Sequence, residues 1–290
     1  MPRMAALGAA LIILSLLPSS QPYEADSIQG YARPYAFDVV SWEADYFLRL
    51  APAHGAPDRE MANRIEAALI AQGLGTTLGP FRALLPPLSF RMAKLPNLLV
   101  VSPRDRIEQY KTVLLDPDLT EAQINELEAS VDRLGFSSEI ERVGGVALYP
   151  SMVPDEGRLH DILSTVVHEW THQYLFFRPL GQAYWAGGDM VTINETVAEA
   201  AGEEIGQMIY QRYYAGIEPE PPSRPAPSGN FDFRREMRSI RLTVDAMLLQ
   251  KQVEQAEAYM EERRLYLWQN GYHIRKLNQA YFAFHGSYGT

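Results

Sequence analysis

The sequence predicts an α+β fold in which a small mixed β-sheet packs on a predominantly helical subdomain. In the first half, short apolar runs closed by Pro or Gly alternate with helical stretches. After Pro154 the pattern changes to long helices, interrupted at 217–230 by a segment with five prolines that must be a surface loop. Strands are therefore expected before residue 155 and helices after it.

Composition limits the chemistry that the chain can perform. The formal charge of -10 argues against non-specific nucleic-acid binding, which needs a positive surface. The 290 residues include no cysteine, which excludes disulfides, Cys-ligated metals and thiol catalysis. Any metal must therefore be held by carboxylates and by the six histidines.

Residues 1–20 are predicted to be a signal peptide or an N-terminal membrane anchor. An uncharged run at 4–17 follows Arg3, and it is shorter than the roughly 20 apolar residues of a robust transmembrane helix. No small-x-small cleavage site stands clearly after it, so cleavage and retention as a signal anchor both stay open. Either alternative places the protein outside the cytoplasm, secreted or membrane-anchored. Residues 21–36 are polar and are predicted to be a tether.

The elements of the N-terminal α/β part, residues 37–154, follow from local signals. A capping-box pattern at Thr120 starts one helix, and Gly135 stops it. An apolar run closed by Pro103 is typical of a short buried strand. In chain order we predict helices at 37–49 and 59–72, a strand at 97–102, the capped helix, and strands at 138–142 and 146–149.

The helical part, residues 155–290, is predicted from apolar periodicity. We expect helices at 157–177, 194–214, 233–265 and 274–284. The first two carry the polar residues from which a site could be built.

The first of these helices contains the motif HExxH, from His168 to His172. A spacing of four residues projects His168 and His172 from one helix face, close enough to bind one metal ion. Glu169 sits about 100° round the helix, where it can reach a water on that metal. This arrangement suits a zinc hydrolase with Glu169 as general base. Chance occurrence is the alternative.

A catalytic zinc needs a third protein ligand. The metzincin pattern fails, because Leu175 and Arg178 stand where Gly and His are required. Instead, Asn194, Glu195 and Glu199 open the next helix as NExxxE. Glu195 could equally be an ordinary acid at a helix N-terminus, which the helix dipole favours.

HExxH followed by NExxxE resembles the gluzincins, the thermolysin-like and aminopeptidase N-like zinc peptidases. The resemblance covers residues 143–203 and implies a zincin-like catalytic subdomain with one Zn²⁺ per chain. It implies that Glu195 is the third ligand, that Glu199 hydrogen-bonds a ligand histidine, and that Asn194 orients the helix start and the other ligand. No specific family within the gluzincins is indicated.

Two further features are expected from the same resemblance. Gluzincins place an edge strand before the active-site helix, where substrate backbone adds as a further strand; Gly145, Val146 and Ala147 stand at that position, although a plain core hairpin fits equally well. A hydrogen-bond donor to the transition-state oxyanion usually comes from elsewhere in the fold. The candidates from the aromatic C-terminus and the loop before 189 are Tyr281, His285 and Tyr184, with His273 and Tyr288 behind them.

The leading functional hypothesis is a zinc metallopeptidase, a hydrolase acting on peptide or protein substrates outside the cytoplasm. The alternative is a non-catalytic, membrane-anchored binding or assembly protein that keeps a peptidase-like fold. A peripheral subunit of a membrane complex is a third possibility. Oligomeric state and substrate stay open.

Overall fold

A computed structural model describes residues 22–49, 56–184, 189–216 and 231–286 of the chain. Its mixed α+β architecture, mainly helical with sheets of two or three strands, confirms the predicted fold class. The helices are α1 (Pro22–Ala32), α2 (Val39–Arg49), α3 (Ala56–Ala71), α4 (Glu121–Asp132), α5 (Leu159–Phe176), α6 (Pro179–Ala183), α7 (Asp189–Tyr213), α8 (Phe233–Leu249), α9 (Val253–Gln269) and α10 (Gln279–His285). The strands are β1 (Thr76–Leu78), β2 (Phe81–Ala83), β3 (Phe90–Ala93), β4 (Asn97–Pro103), β5 (Lys111–Leu115), β6 (Phe136–Arg142) and β7 (Ser151–Pro154).

The strands form three small sheets instead of one mixed sheet. β4 lies between β5 and β6 in an antiparallel sheet, with every residue of β4 buried. β3 and β7 form a parallel pair, and β1 and β2 form a hairpin. The parallel pair leads directly into α5 and so places the start of the HExxH helix.

The strand predicted at 146–149 is wrong. Val146 exchanges backbone hydrogen bonds with Met152, at 3.0 Å and 2.9 Å, and the residues between them reverse the chain. The strand itself lies at Ser151–Pro154, where Phe90 and Arg91 pair with Ser151 and Met152. Apolar alternation cannot distinguish a buried turn of this kind from a strand.

The predicted tether is also wrong, because Pro22–Ala32 is a helix. Ile28 is 0% exposed and Ala32 is 1% exposed, and both pack in the core formed with α4 and the three-stranded sheet. These two apolar residues, four apart, lie on one face of the helix and pack it against the body.

The single long helix predicted at 233–265 is two helices, α8 and α9. The chain turns at Lys251, which adopts a left-handed φ of 61°. The turn lets the apolar face of α8 pack on that of α9, burying Met237, Ile240 and Met260 completely. A continuous helix would leave both faces in solvent. The predicted last helix begins at Gln279, where Asn278 caps it by accepting a 2.8 Å hydrogen bond from Tyr281 N.

The predicted transmembrane helix requires correction. Within the described ranges, no helix combines the length and the apolar character needed to cross a membrane. The segment on which the prediction rested, residues 4–17, lies outside those ranges.

The C-terminal segment before α10 is joined to the β-sheet part by an ion pair between Arg275 and the buried carboxylate of Glu128. The Arg275 guanidinium donates to both carboxylate oxygens of Glu128, at 2.9 Å and 2.6 Å, and Glu128 also accepts from Ile140 N at 2.7 Å. Glu139, on the adjacent strand, is 1% exposed, and its Oε2 has no hydrogen-bond partner. Burial raises the pKa of Glu139 well above its ordinary value; the charge of Glu141 adds to this and that of Arg275 opposes it.

Glu139 is expected to make stability fall as the pH rises. A carboxyl whose pKa is raised in the folded state contributes its full stabilisation of the fold at pH values below its unfolded pKa. This contribution is lost as the pH rises through the folded pKa. Gln cannot ionise, so Glu139→Gln should gain stability relative to wild type as the pH is raised above about 4. Urea denaturation across the pH range measures this difference, with the exposed Glu126→Gln as control. A difference that stays constant with pH would refute the expectation.

Candidate metal centre

The two histidines of the HExxH motif lie one turn apart on α5 and face α7. Both are buried, at 6% exposure for His168 and 1% for His172. Their Nε2 atoms are 3.0 Å apart. The two imidazoles therefore converge on one point, as the spacing of four residues on a helix predicts.

Glu195 on α7 completes the cluster. Its Oε2 lies 3.7 Å from His168 Nε2 and 3.4 Å from His172 Nε2. Tetrahedral zinc with bonds of about 2.0 to 2.2 Å separates neighbouring ligand atoms by about 3.3 to 3.5 Å, so the observed separations fit one ion with small adjustments. Both Glu195 oxygens are buried and have no hydrogen-bond partner among the described residues, which is costly for a carboxylate unless a cation faces it. The buried group His168, His172 and Glu195 could hold a metal ion.

Two residues of α7 hold the imidazoles in the orientation that a metal requires. His172 Nδ1 lies 2.8 Å from Asn194 Oδ1, and His168 Nδ1 lies 3.5 Å from Glu199 Oε2. A proton on Nδ1 directed at these oxygens would leave the Nε2 lone pair of each imidazole free for a cation. Asn194 and Glu199 thus each face a different histidine.

The close approach of α5 and α7 depends on two glycines. A Cβ atom on Gly202 would lie 2.8 Å from Ser164 O, and one on Gly206 would lie 2.8 Å from Ser164 Cα. Both distances are shorter than a normal contact, so only glycine allows this separation. The helices therefore run close enough for Glu195 and Glu199 to reach across to the histidines.

Glu169 lies on a neighbouring face of α5. It is 1% exposed, and its Oε2 has no hydrogen-bond partner. Burial raises the pKa of the Glu169 carboxyl to about 7, against the opposing charges of His168 and His172. Glu169 is not part of the group that could hold the ion, which leaves its carboxylate available to exchange a proton.

The negative charge of the carboxylates in the site also shifts the pKa values of His172 and Tyr184. Burial alone would lower the pKa of His172, but the charges of Glu195 and Glu169 raise it to about 9. Tyr184 follows α6, and burial together with the Glu195 charge raises its pKa above the ordinary value. The Tyr184 hydroxyl therefore remains protonated at neutral pH and lies within the electrostatic reach of Glu195.

Two other predicted donors, Tyr281 and His285, lie in α10; the ring of His273 stacks on that of Trp268, and Tyr288 lies outside the described residues. Tyr281 is 6% exposed within the core of α8 and α9, and its ring centroid is 4.2 Å from that of His285. His285 Nε2 lies 3.5 Å from Glu141 Oε1. The aromatic C-terminus does pack inward, as expected, but these contacts are with the helical hairpin and the β-sheet part.

The predicted substrate-binding residues Gly145, Val146 and Ala147 do not form an edge strand. They lie in the turn that precedes β7, and Val146 and Ala147 are 0% exposed. A Cβ atom on Gly145 would overlap the Glu169 carboxylate. The space beside this glycine is therefore filled by Glu169.

Sequence reasoning missed Gln173, Gly202 and Gly206. Gln173 follows Glu169 by four residues and is 7% exposed; Gly202 and Gly206 share the same spacing on α7. Each of these three residues is separated by a helical spacing from a predicted site residue. Such a spacing places the two residues on one face of the helix.

Comparisons of this chain with protein-family models, curated proteins and solved structures find no match.

Proposed function

We propose that the protein is a zinc metallopeptidase of the gluzincin type. The observation that carries the proposal is the convergence of His168, His172 and Glu195 on one point, with the buried carboxylate of Glu169 beside it. The sequence motifs and this geometry support the same assignment of roles.

The ligand set favours zinc over Mg²⁺ and Ca²⁺. Two imidazoles and one carboxylate form the three-ligand set of thermolysin-type catalytic zinc sites, which keep a further position for water or substrate. Mg²⁺ and Ca²⁺ prefer oxygen ligands, whereas two of the three donors here are nitrogen.

A bound zinc ion would polarise the scissile carbonyl and lower the pKa of a water molecule. Glu169 would accept a proton from the attacking water and return it to the leaving amine, a role that suits a carboxyl whose pKa is raised toward neutrality. Asn194 and Glu199 keep the imidazoles in place throughout. The protonated Tyr184 hydroxyl is the candidate donor to the developing oxyanion.

The site of action that we propose is extracytoplasmic, on the basis of the apolar run at 4–17.

The test combines metal analysis with a hydrolysis assay on the full chain. We expect one zinc per chain by elemental analysis and cleavage of unstructured peptides, both lost on chelation and restored by zinc. One zinc per chain without cleavage of any peptide would favour the non-catalytic binding protein instead. Absence of bound zinc after dialysis against zinc would refute the metal centre itself.

A further inference from the structure

The helix α5 carries a second row of residues beside the metal-binding row. The residues of α5 that face α7 are Ser164, His168 and His172. The residue that follows each of them belongs to the second row, which consists of Thr165, Glu169 and Gln173. The spacing of four aligns this second row on its own helix face. It packs against the turn at residues 144–151, which we name the wall segment.

One contact between the wall segment and α5 is at Gly145. A Cβ atom on Gly145 would overlap Glu169 Oε1 and would lie 2.8 Å from Thr165 Cγ2. The backbone of the wall segment therefore lies directly on the Glu169 carboxylate, at a distance that only glycine permits.

A second contact between the wall segment and α5 lies one helical turn beyond Glu169. Gln173 Nε2 donates to Leu148 O at 2.5 Å and to Ser151 Oγ at 2.9 Å. All three residues that form these bonds are buried, and Gln173 itself is 7% exposed. The two hydrogen bonds between Val146 and Met152 close the same segment on itself.

We propose that the wall segment positions Glu169 for catalysis, and that Gly145 and Gln173 are the positioning residues that fix it. A carboxylate confined on one side by backbone retains little rotamer freedom, so Glu169 stays in its place beside the cluster. Gly145 admits the carboxylate, and Gln173 keeps the segment from moving away. This inference rests on the proposed function, because a fixed general base matters only if Glu169 acts as one.

Kinetics test the positioning role through Gly145→Ala and Gln173→Leu. A displacement of the base by about 1 Å costs up to about a hundredfold in rate. We therefore expect kcat to fall about tenfold to a hundredfold in each variant, with KM and zinc content unchanged. Gly30→Ala is the matched control, since a Cβ there meets no atom within 4 Å. An unchanged kcat in both site variants would overturn the proposal.

A double-mutant cycle on the zinc-free protein tests the contact without any activity. Gly145→Ala should lower the melting temperature more in wild type than in a Glu169→Ala background, where the overlap with the carboxylate is gone. Equal losses in the two backgrounds would overturn the proposal even if the protein is a peptidase. Unequal losses in a protein that cleaves no peptide would support the positioning contact and refute the proposed function. Gln173→Leu keeps the kinetic test available if Gly145→Ala does not fold.

Discussion

Replacing Glu169 with Gln is expected to reduce kcat for peptide hydrolysis by about 10²- to 10⁴-fold while zinc remains bound. Gln has the shape of Glu but cannot accept the proton of the attacking water. Glu169 is not in the group that could hold the metal, so its replacement leaves that group intact. The measurement is kcat at saturating substrate together with the zinc content of the same sample.

The control for this prediction is Glu204→Gln, an exposed carboxylate on α7 that should change neither quantity. Retained activity in Glu169→Gln would show that another group is the base. Loss of zinc in the same variant would show that Glu169 is a ligand, contrary to the assignment made from the geometry.

Zinc is expected to raise the free energy of unfolding by about 4 kcal/mol when free zinc is 1,000 times its Kd. The cation would compensate the Glu195 carboxylate, whose two buried oxygens have no hydrogen-bond partner. The unfolded chain does not hold Glu195 beside the two histidines and so binds zinc more weakly, which lets the binding energy stabilise the fold. Thermal unfolding over a series of zinc concentrations measures this effect.

Glu195→Gln should abolish most of the zinc-dependent stabilisation, and Glu204→Gln on the same helix should retain it. This result does not depend on any substrate, so it separates the metal centre from the peptidase activity. An equal response to zinc in the two variants would place the ion elsewhere in the protein.

The parts of the site that sequence predicted are those fixed by local helix geometry. The spacing of His168 and His172 determines their common face, and the spacing of Glu195 and Glu199 does the same on α7. The capping box at Thr120 was correct for a similar reason, since Thr120 Oγ1 accepts from Gln123 N at 3.3 Å within one turn.

The predictions that failed needed tertiary information. The chain turns at Lys251 because the apolar faces of α8 and α9 pack on each other. The local sequence favours a helix and does not indicate this turn. Pro22–Ala32 is helical because Ile28 finds a core to enter. Gly145 was expected to admit a peptide, but Glu169 occupies the space beside it. In each case a partner distant in sequence determined the outcome.

The glycine contacts between α5 and α7 also set the axial register of the two helices. The helices run antiparallel, so Asn194 lies beside His172, Glu199 beside His168 and Gly206 beside Ser164. Sliding α7 by one turn would bring a residue with a Cβ against Ser164 and would present Glu199 to His172 in place of Glu195. A side chain at residue 206 would therefore shift every one of these pairs at once.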